Sequence, residues 1–266
     1  MITTYHRPKT LDEALTLLTQ PNRIPLGGGT LVSKPTPDPV EVVDLQAIGL
    51  NAIKKHGNHL ETGATVTLQQ LLESEHCPEA LRSAIKIEAP INIRNTATVA
   101  GALVACDGRS TFVAALLALD AKLEVKGIDT LELVEMETET RPPQTTVESI
   151  SVGEFLPLRD KRIRGKLITA VTIPLNAKLA FEYVSRTPSD KPIVCAAAAQ
   201  WNSGRTRLAL GGYGKSPMLA MDGTEADGIG IAARNAYHEA NDEWASAEYR
   251  MDVAATLAKR CAEQLA

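Results

Sequence analysis

The chain has 266 residues, 44% hydrophobic and 23% charged, enough to bury a sizeable core beneath a polar surface. Its net charge of −4 offers no basic footprint for nucleic acid. No run reaches the roughly 18 consecutive apolar residues of a membrane span, and "MITTYHRPKT" lacks the apolar centre of a secretory signal.

Aromatic residues are only 4% of the chain, so the core must be built from Leu, Ile, Val and Ala. The four cysteines, Cys77, Cys106, Cys195 and Cys261, are scattered, with no CxxC pair. That argues for a reducing, cytoplasmic setting and against a metal or iron–sulfur site in this chain; their plain reading is as small core residues.

Thr10-Leu11-Asp12-Glu13 has the form of a capping box, in which the Thr hydroxyl and Glu carboxylate satisfy each other's backbone N–H groups. Leu11, Leu15 and Leu18 then share a face, predicting a helix to about Gln20. Ile24 to Leu26 reads as a strand running into three consecutive glycines, and "VEVVDL" (40–45) is a second, β-branched strand. Gly57-Asn58 between two extended runs signals a hairpin. Thr67 to Gln70 repeats the capping-box pattern, and a helix follows from about Pro78 to Ile87. "APINIRNTATVAGALVACDGRS" reads as irregular, after which Ser110 caps the apolar helix "TFVAALLALD".

"AKLEVKG" and "TLELVEME" alternate as strands, and "ETETRPPQTT" reads as a surface loop. After "LITAVTIPL" (167–175) three strands follow in succession, in "AFEYVSR", "PIVCAAAAQW" and "TRLALGGYG". Two helices close the chain, at about 225–240 and 246–265, so strands followed by helices predict an α+β layer and a boundary near 165–176.

Glycine lets backbone N–H groups face a ligand because no Cβ blocks the approach, so "PLGGGTL" suits either a tight turn or a phosphate cradle. It lacks the later glycine and the acidic ribose ligand of a dinucleotide-binding fingerprint. "GGYGKS" (211–216) imitates the end of a P-loop, but the leading glycine is missing and no helix pattern follows, so it reads as a glycine-rich strand end. "NIRNTATVAGAL" (92–103) reads on its own as a loop with self-capping hydroxyls, and Asp107 could accept from a sugar hydroxyl or cap the turn at Gly108. The five histidines assemble no Ser/His/Asp or Cys/His grouping.

Read in order, "HRPKTLDEALTLL", "PLGGGTL", "LETGATVTLQQL", "IRNTATVAGAL", "FVAALLALDAKLEV", "LITAVTIP", "SRTPSDKPIVCAAAA" and "SAEYRMDVAATLAKR" resemble the FAD-binding medium subunit of molybdenum hydroxylases, the xanthine dehydrogenase and aerobic carbon monoxide dehydrogenase family. The resemblance spans nearly the whole chain. It implies an α+β protein: a PCMH-type FAD-binding domain over 1–170, made of subdomains at about 1–52 and 53–170, then a C-terminal α+β domain over 171–266. The C-terminal domain is expected to carry a three-stranded antiparallel sheet and helices.

Carried over position by position, the resemblance assigns Leu26, Gly27, Gly28, Gly29 and Thr30 to the first flavin loop. It assigns Thr98, Val99, Ala100, Gly101 and Ala102 to the second, with Arg94 and Asn95 leading into it. Asp107 matches an acidic family position, and Lys191 falls in a segment that lies near the isoalloxazine in relatives. Ala100 stands where the family has glycine, and at positive φ it would be strained by about 1 kcal/mol or more. Ala102 replaces the usual Asn or Ser, and Thr111 a frequent Asp.

The resemblance further implies an oxidoreductase subunit, active in a complex with a molybdopterin-binding large subunit and a [2Fe–2S] small subunit. Its flavin would pass electrons to NAD⁺, a quinone or another acceptor. Two other readings stand beside it: a structural subunit that has lost FAD, and a reductase working alone.

Overall fold

The computed structural model describes residues 1–33, 38–128, 144–188 and 190–266. The first unit holds β1 (Ile2–His6), α1 (Leu11–Leu18), β2 (Arg23–Leu26) and β3 (Val40–Asp44), with the strands in a parallel sheet of order β1-β3-β2. Ala14, Leu15 and Leu18 of α1 bury against Val43 and Leu45. The helix stops two residues earlier than predicted, and its capping box is half formed. Thr10 accepts from the Glu13 N–H, whereas the Glu13 carboxylate accepts from the Lys9 N–H, one residue too far upstream.

A second sheet begins with the expected hairpin of β4 (Ile53–His56) and β5 (His59–Gly63). A helical run follows: α2 (Leu68–Glu73), α3 (Glu79–Glu88), α4 (Ile91–Arg94), α5 (Val99–Ala105) and α6 (Thr111–Ala118). Thr67 and Gln70 make both bonds of a capping box at α2. The sheet is completed by β6 (Lys122–Ile128), β7 (Thr145–Ser151) and, after the short helices α7 (Val152–Phe155) and α8 (Arg159–Arg162), β8 (Lys166–Pro174), all antiparallel in the order β4-β5-β8-β6-β7. The strand expected in "TLELVEME" and most of the loop expected in "ETETRPPQTT" lie outside the described residues.

The third sheet holds β9 (Ala177–Val184), β10 (Val194–Trp201), β11 (Thr206–Gly211) and β12 (Met218–Gly223), and is followed by α9 (Ile229–Ala236) and α10 (Ala247–Leu265). It therefore has four antiparallel strands and not the three predicted. β12 is an edge strand with Met218 and Leu219 exposed and a register shift opposite Leu208 and Ala209, so its sequence carries no clean alternation.

β10 shows how the layers join. Cys195, Ala197 and Ala199 belong to the core built around α6, while Val194, Ala196 and Ala198 belong to the core built by α9 and α10. Its small side chains let helices approach both faces of one strand. Helix α6 is buried along its whole length, capped by Ser110, and packs on α3, β10 and β11. All four cysteines are buried, as expected, and burial pushes the Cys77 and Cys106 thiols up to about 11 and that of Cys261 up to about 12.

Arg205 and Arg207 fasten β11 to β12 and to the turn after α6. Arg205 donates to both oxygens of Asp222 at 2.9 and 2.8 Å, and the buried Arg207 donates to Asp222 at 2.6 Å and to the Leu117 carbonyl at 3.1 Å. The Arg205 hydrogen bond, with attraction to Arg207, outweighs burial and holds the Asp222 carboxyl below its ordinary value. A carboxyl depressed in the native state stabilises fully above its unfolded value, about 3.9, and loses that contribution as pH falls through the native value. Asp222→Asn is expected to cost about 1–3 kcal/mol at neutral pH, because the buried guanidinium of Arg207 loses its carboxylate partner at 2.6 Å. Urea unfolding at pH 7 and pH 3 checks this: the gap between variant and parent should narrow at the lower pH.

Candidate functional site

Strand β2 ends at Leu26, whose carbonyl accepts from the Leu45 N–H at 3.0 Å, so the glycines leave the parallel sheet at the carboxyl ends of its strands. Crevices at that edge are where open α/β sheets bind ligands. The N–H groups of Gly27, Gly28, Gly29 and Thr30 donate to no group among the described residues. The turn is closed by Ser33, whose N–H and hydroxyl donate to the Gly29 carbonyl at 3.0 and 2.6 Å. Gly29 sits at φ 74°, where a side chain would be strained.

Gly28 is glycine for another reason: a Cβ there would overlap the carbonyl of Thr96. A Cβ on Gly27 would fall 2.8 Å from the Thr98 hydroxyl oxygen, as would one on Gly101. The structure thus brings together the two segments that the sequence shows far apart, with Thr98 wedged between their glycines.

The second segment is not a loop. Thr98 is the N-cap of α5 and accepts from the Gly101 N–H at 3.1 Å. The N–H groups of Val99 and Ala100 donate to the carbonyls of Val66 and Ala64 at 2.8 and 3.3 Å, and that of Ala102 donates to Thr98 at 2.8 Å. Ala100 is helical, and the described non-glycine residues at positive φ are Asn22 and Asp120, so the strain expected at Ala100 is absent. Among 96–102 the N–H of Thr98 alone has no acceptor among the described residues, so the row of free donors belongs to 27–30, while 96–102 buttresses it.

Arg94 faces away from the glycines. Its guanidinium donates to the Gln69 side chain at 3.0 Å and to the carbonyls of Lys86 and Ala89 at 3.2 and 2.8 Å, tying α4 to α2 and α3. Asn95 is exposed at the end of α4. Thr111 donates to the Ala84 carbonyl at 2.7 Å and, with Ser110, contacts the Glu88 carboxylate, so it serves the packing of α6 on α3.

Asp107 and Lys191 meet across the chain in an ion pair of 3.0 Å. Asp107 also accepts from the Arg109 N–H at 2.9 Å, and the Arg109 guanidinium donates to the carbonyls of Lys191 and Pro192. Gly108 exchanges backbone bonds with Gly212 and Gly214, at 2.6 and 3.0 Å, so "GGYGKS" is a docking edge for this turn and not a phosphate loop. Sequence reasoning missed Arg109 and its neighbours Trp244 and Arg186, because no spacing links residues drawn from three separate segments.

Residues 1–176 match a family profile described as "FAD binding domain in molybdopterin dehydrogenase". The chain is 26% identical to the "Uncharacterized protein YgfM" of Escherichia coli (strain K12), covering 97% of this chain and 94% of that protein. It is also 26% identical to the carbon monoxide dehydrogenase medium chain of Afipia carboxidovorans, over 98% of this chain and 95% of that one. The fold is similar to a chain of the reconstituted CO dehydrogenase from Oligotropha carboxidovorans, with a TM-score of 0.80, 24% identity and coverage of 98% and 96% of the two chains.

Thr98 carries the local geometry through one hydroxyl. Thr98→Val is expected to cost about 1 kcal/mol through loss of the cap, and Thr98→Ser only a small part of that. Denaturant unfolding of the two variants measures the difference.

Proposed function

The chain belongs to the family of FAD-binding domains of molybdopterin dehydrogenases, and on that premise we propose that it is the FAD-carrying electron-transfer subunit of a molybdenum hydroxylase complex. The observation that carries this reading is the row of unengaged N–H groups over 27–30, held at a strand edge where Gly27 and Gly28 press on Thr98 and Thr96 with no space for a Cβ. An FAD pyrophosphate suits such a cradle, since aligned backbone N–H groups bind anions without Lys or Arg.

In this reading Leu26 to Thr30 hold the pyrophosphate, and Thr98 to Ala102 set the wall against which the glycines close. Arg94 and Asn95 act as supports: Arg94 fixes the helices that carry Thr96 and Thr98. Asp107 and Lys191 lie where the isoalloxazine end is proposed, and their ion pair fixes the ammonium there. Bound FAD supplies the chemistry of taking up electrons singly and releasing them as a pair. The protein contributes binding, orientation and exclusion of water. No side chain of the site is needed as an acid or base.

Residues 1–170 form the FAD-binding domain in this proposal, and 171–266 the C-terminal domain. The partners are a molybdopterin-binding large subunit and a [2Fe–2S] small subunit, with NAD⁺ or a quinone as acceptor, in the cytoplasm. Among the described residues no helix is long and apolar enough to cross a membrane. A second reading, a structural subunit without FAD, draws on the engaged amides of Val99 to Ala102.

The two readings part on flavin content. The purified chain, incubated with FAD and desalted, should retain the flavin absorption bands at close to one per chain. A β-branched residue at Gly28 must push the glycine turn off the Thr96 carbonyl, so Gly28→Val should lose flavin retention while the emission of Trp201 and Trp244 stays native. Full flavin occupancy in that variant would reject the cradle, and a parent protein that stays colourless would favour the structural subunit.

A further inference from the structure

The residues Arg109, Arg186 and Trp244 form a cationic cluster that the cofactor reading does not use. The guanidinium carbon of Arg109 lies 4.4 Å from the centre of the Trp244 ring, and that of Arg186 lies 4.7 Å from it. Two guanidiniums thus share one indole, and the Lys191 carbonyl accepts from Arg109. Like charges so placed repel, and the stack on the ring offsets only part of that cost.

The arrangement is held by the fold. The loop that carries Trp244 is organised by Arg250, a fully buried side chain that donates to the carbonyls of Ala240 and Ala245 at 2.7 and 2.9 Å and to the Asp242 carboxylate at 2.7 Å. Asp242 in turn accepts from the N–H groups of Trp244 and Ala245 at 2.8 and 3.2 Å. Trp244 is therefore pinned through its backbone while its ring remains 39% exposed. Arg109 is fixed through Nε and Nη2 on the carbonyls of Pro192 and Lys191, which leaves Nη1 unengaged.

Arg186 donates no hydrogen bond among the described residues, so its fork is open to a ligand. Lys191 is paired with Asp107, but neither guanidinium has a carboxylate within ion-pair range among the described residues. Asp190 and Glu243, the chain neighbours of Lys191 and Trp244, pair with neither arginine.

We propose that Arg109 and Arg186, stacked on Trp244, form a binding site for a ligand that carries more than one phosphate. Planar guanidinium forks match phosphate oxygens in pairs, and two forks side by side suit a charge greater than that of one carboxylate. Within the electron-transfer function proposed above, on which this step rests, the ligand is the electron acceptor. It is then a phosphorylated dinucleotide and not a neutral quinone.

The test uses the FAD-loaded protein, so that the glycine cradle is filled, in a Trp201→Phe background that leaves Trp244 as the sole indole. Titration with NAD⁺ and with inorganic pyrophosphate should each give saturable quenching of Trp244 emission that weakens with added salt. Tighter binding of NAD⁺ would identify a nucleotide as the source of the phosphates, and equal binding would identify the phosphates alone. Arg186→Gln, which breaks no hydrogen bond of the fold, should weaken binding by about tenfold, and Arg186→Lys by less. Absence of saturable quenching by both probes, or an unchanged affinity in Arg186→Gln, would overturn the site. Failure to load FAD would count against the cofactor reading alone, since the pyrophosphate titration reads Trp244 directly.

Discussion

At one point the chain leaves no room for even a single carbon atom. The backbone of Gly28 runs against the carbonyl of Thr96, where a Cβ would overlap the oxygen. Two units with separate cores, one on the parallel sheet and one on the helices after β5, come together there. The path of the glycine turn follows from that contact: with Gly28 seated on Thr96, the neighbouring glycines close on the Thr98 hydroxyl. A turn pressed against a wall on one side can present its N–H groups only to the other. The free donors of 27–30 are thus a consequence of packing and not of any special side chain.

On the readings proposed above, the protein has two distinct ways of meeting anions, kept apart in the chain. The glycine turn offers amide dipoles and no side-chain cation, which suits a pyrophosphate held permanently in a protein of net charge −4. The Arg109–Trp244–Arg186 cluster offers full charges at the surface, whose attraction reaches further and is screened by salt. A resident cofactor needs shape and closure; a ligand that arrives and leaves gains from longer-range steering. The turn 107–109 carries Arg109 into that cluster, held by the Asp107–Lys191 pair and by the bonds of Gly108 to Gly212 and Gly214.

Where local chemistry decides the conformation, the structure could be read from the residues. The Thr67 capping box, the Gly57-Asn58 hairpin, the Ser110 cap and the alternating strand β6 formed as their patterns require. The run 92–103 could not be read in that way. Its Thr, Asn and Val residues are poor helix formers, and α4 and α5 are held by tertiary bonds: Leu68 to Ala97, and Val99 to Val66. Edge strand β12 was hidden likewise, because half of its pairing surface faces solvent. The site showed the same divide. The family pattern named the two segments that the fold packs together at Gly28 and Thr96, but that Arg94 braces helices and that Arg109 stacks on Trp244 depends on contacts no spacing encodes.

The alanines of the second segment mean something different once its helix is known. In a left-handed loop Ala100 would be a defect; in the first turn of α5 it is the best helix former available, where glycine would be about 1 kcal/mol worse. Ala100 and Ala102 therefore stabilise the turn that Thr98 caps, and that turn fixes the wall behind Gly27 and Gly28. A segment with helix-forming alanines at 100 and 102 favours rigidity over direct contact. The amides of Val99 to Ala102 agree with this, since each already has a protein acceptor. The reading that FAD has been lost draws no support from strain at Ala100, and the affinity of the cradle turns instead on whether the donors of 27–30 suffice.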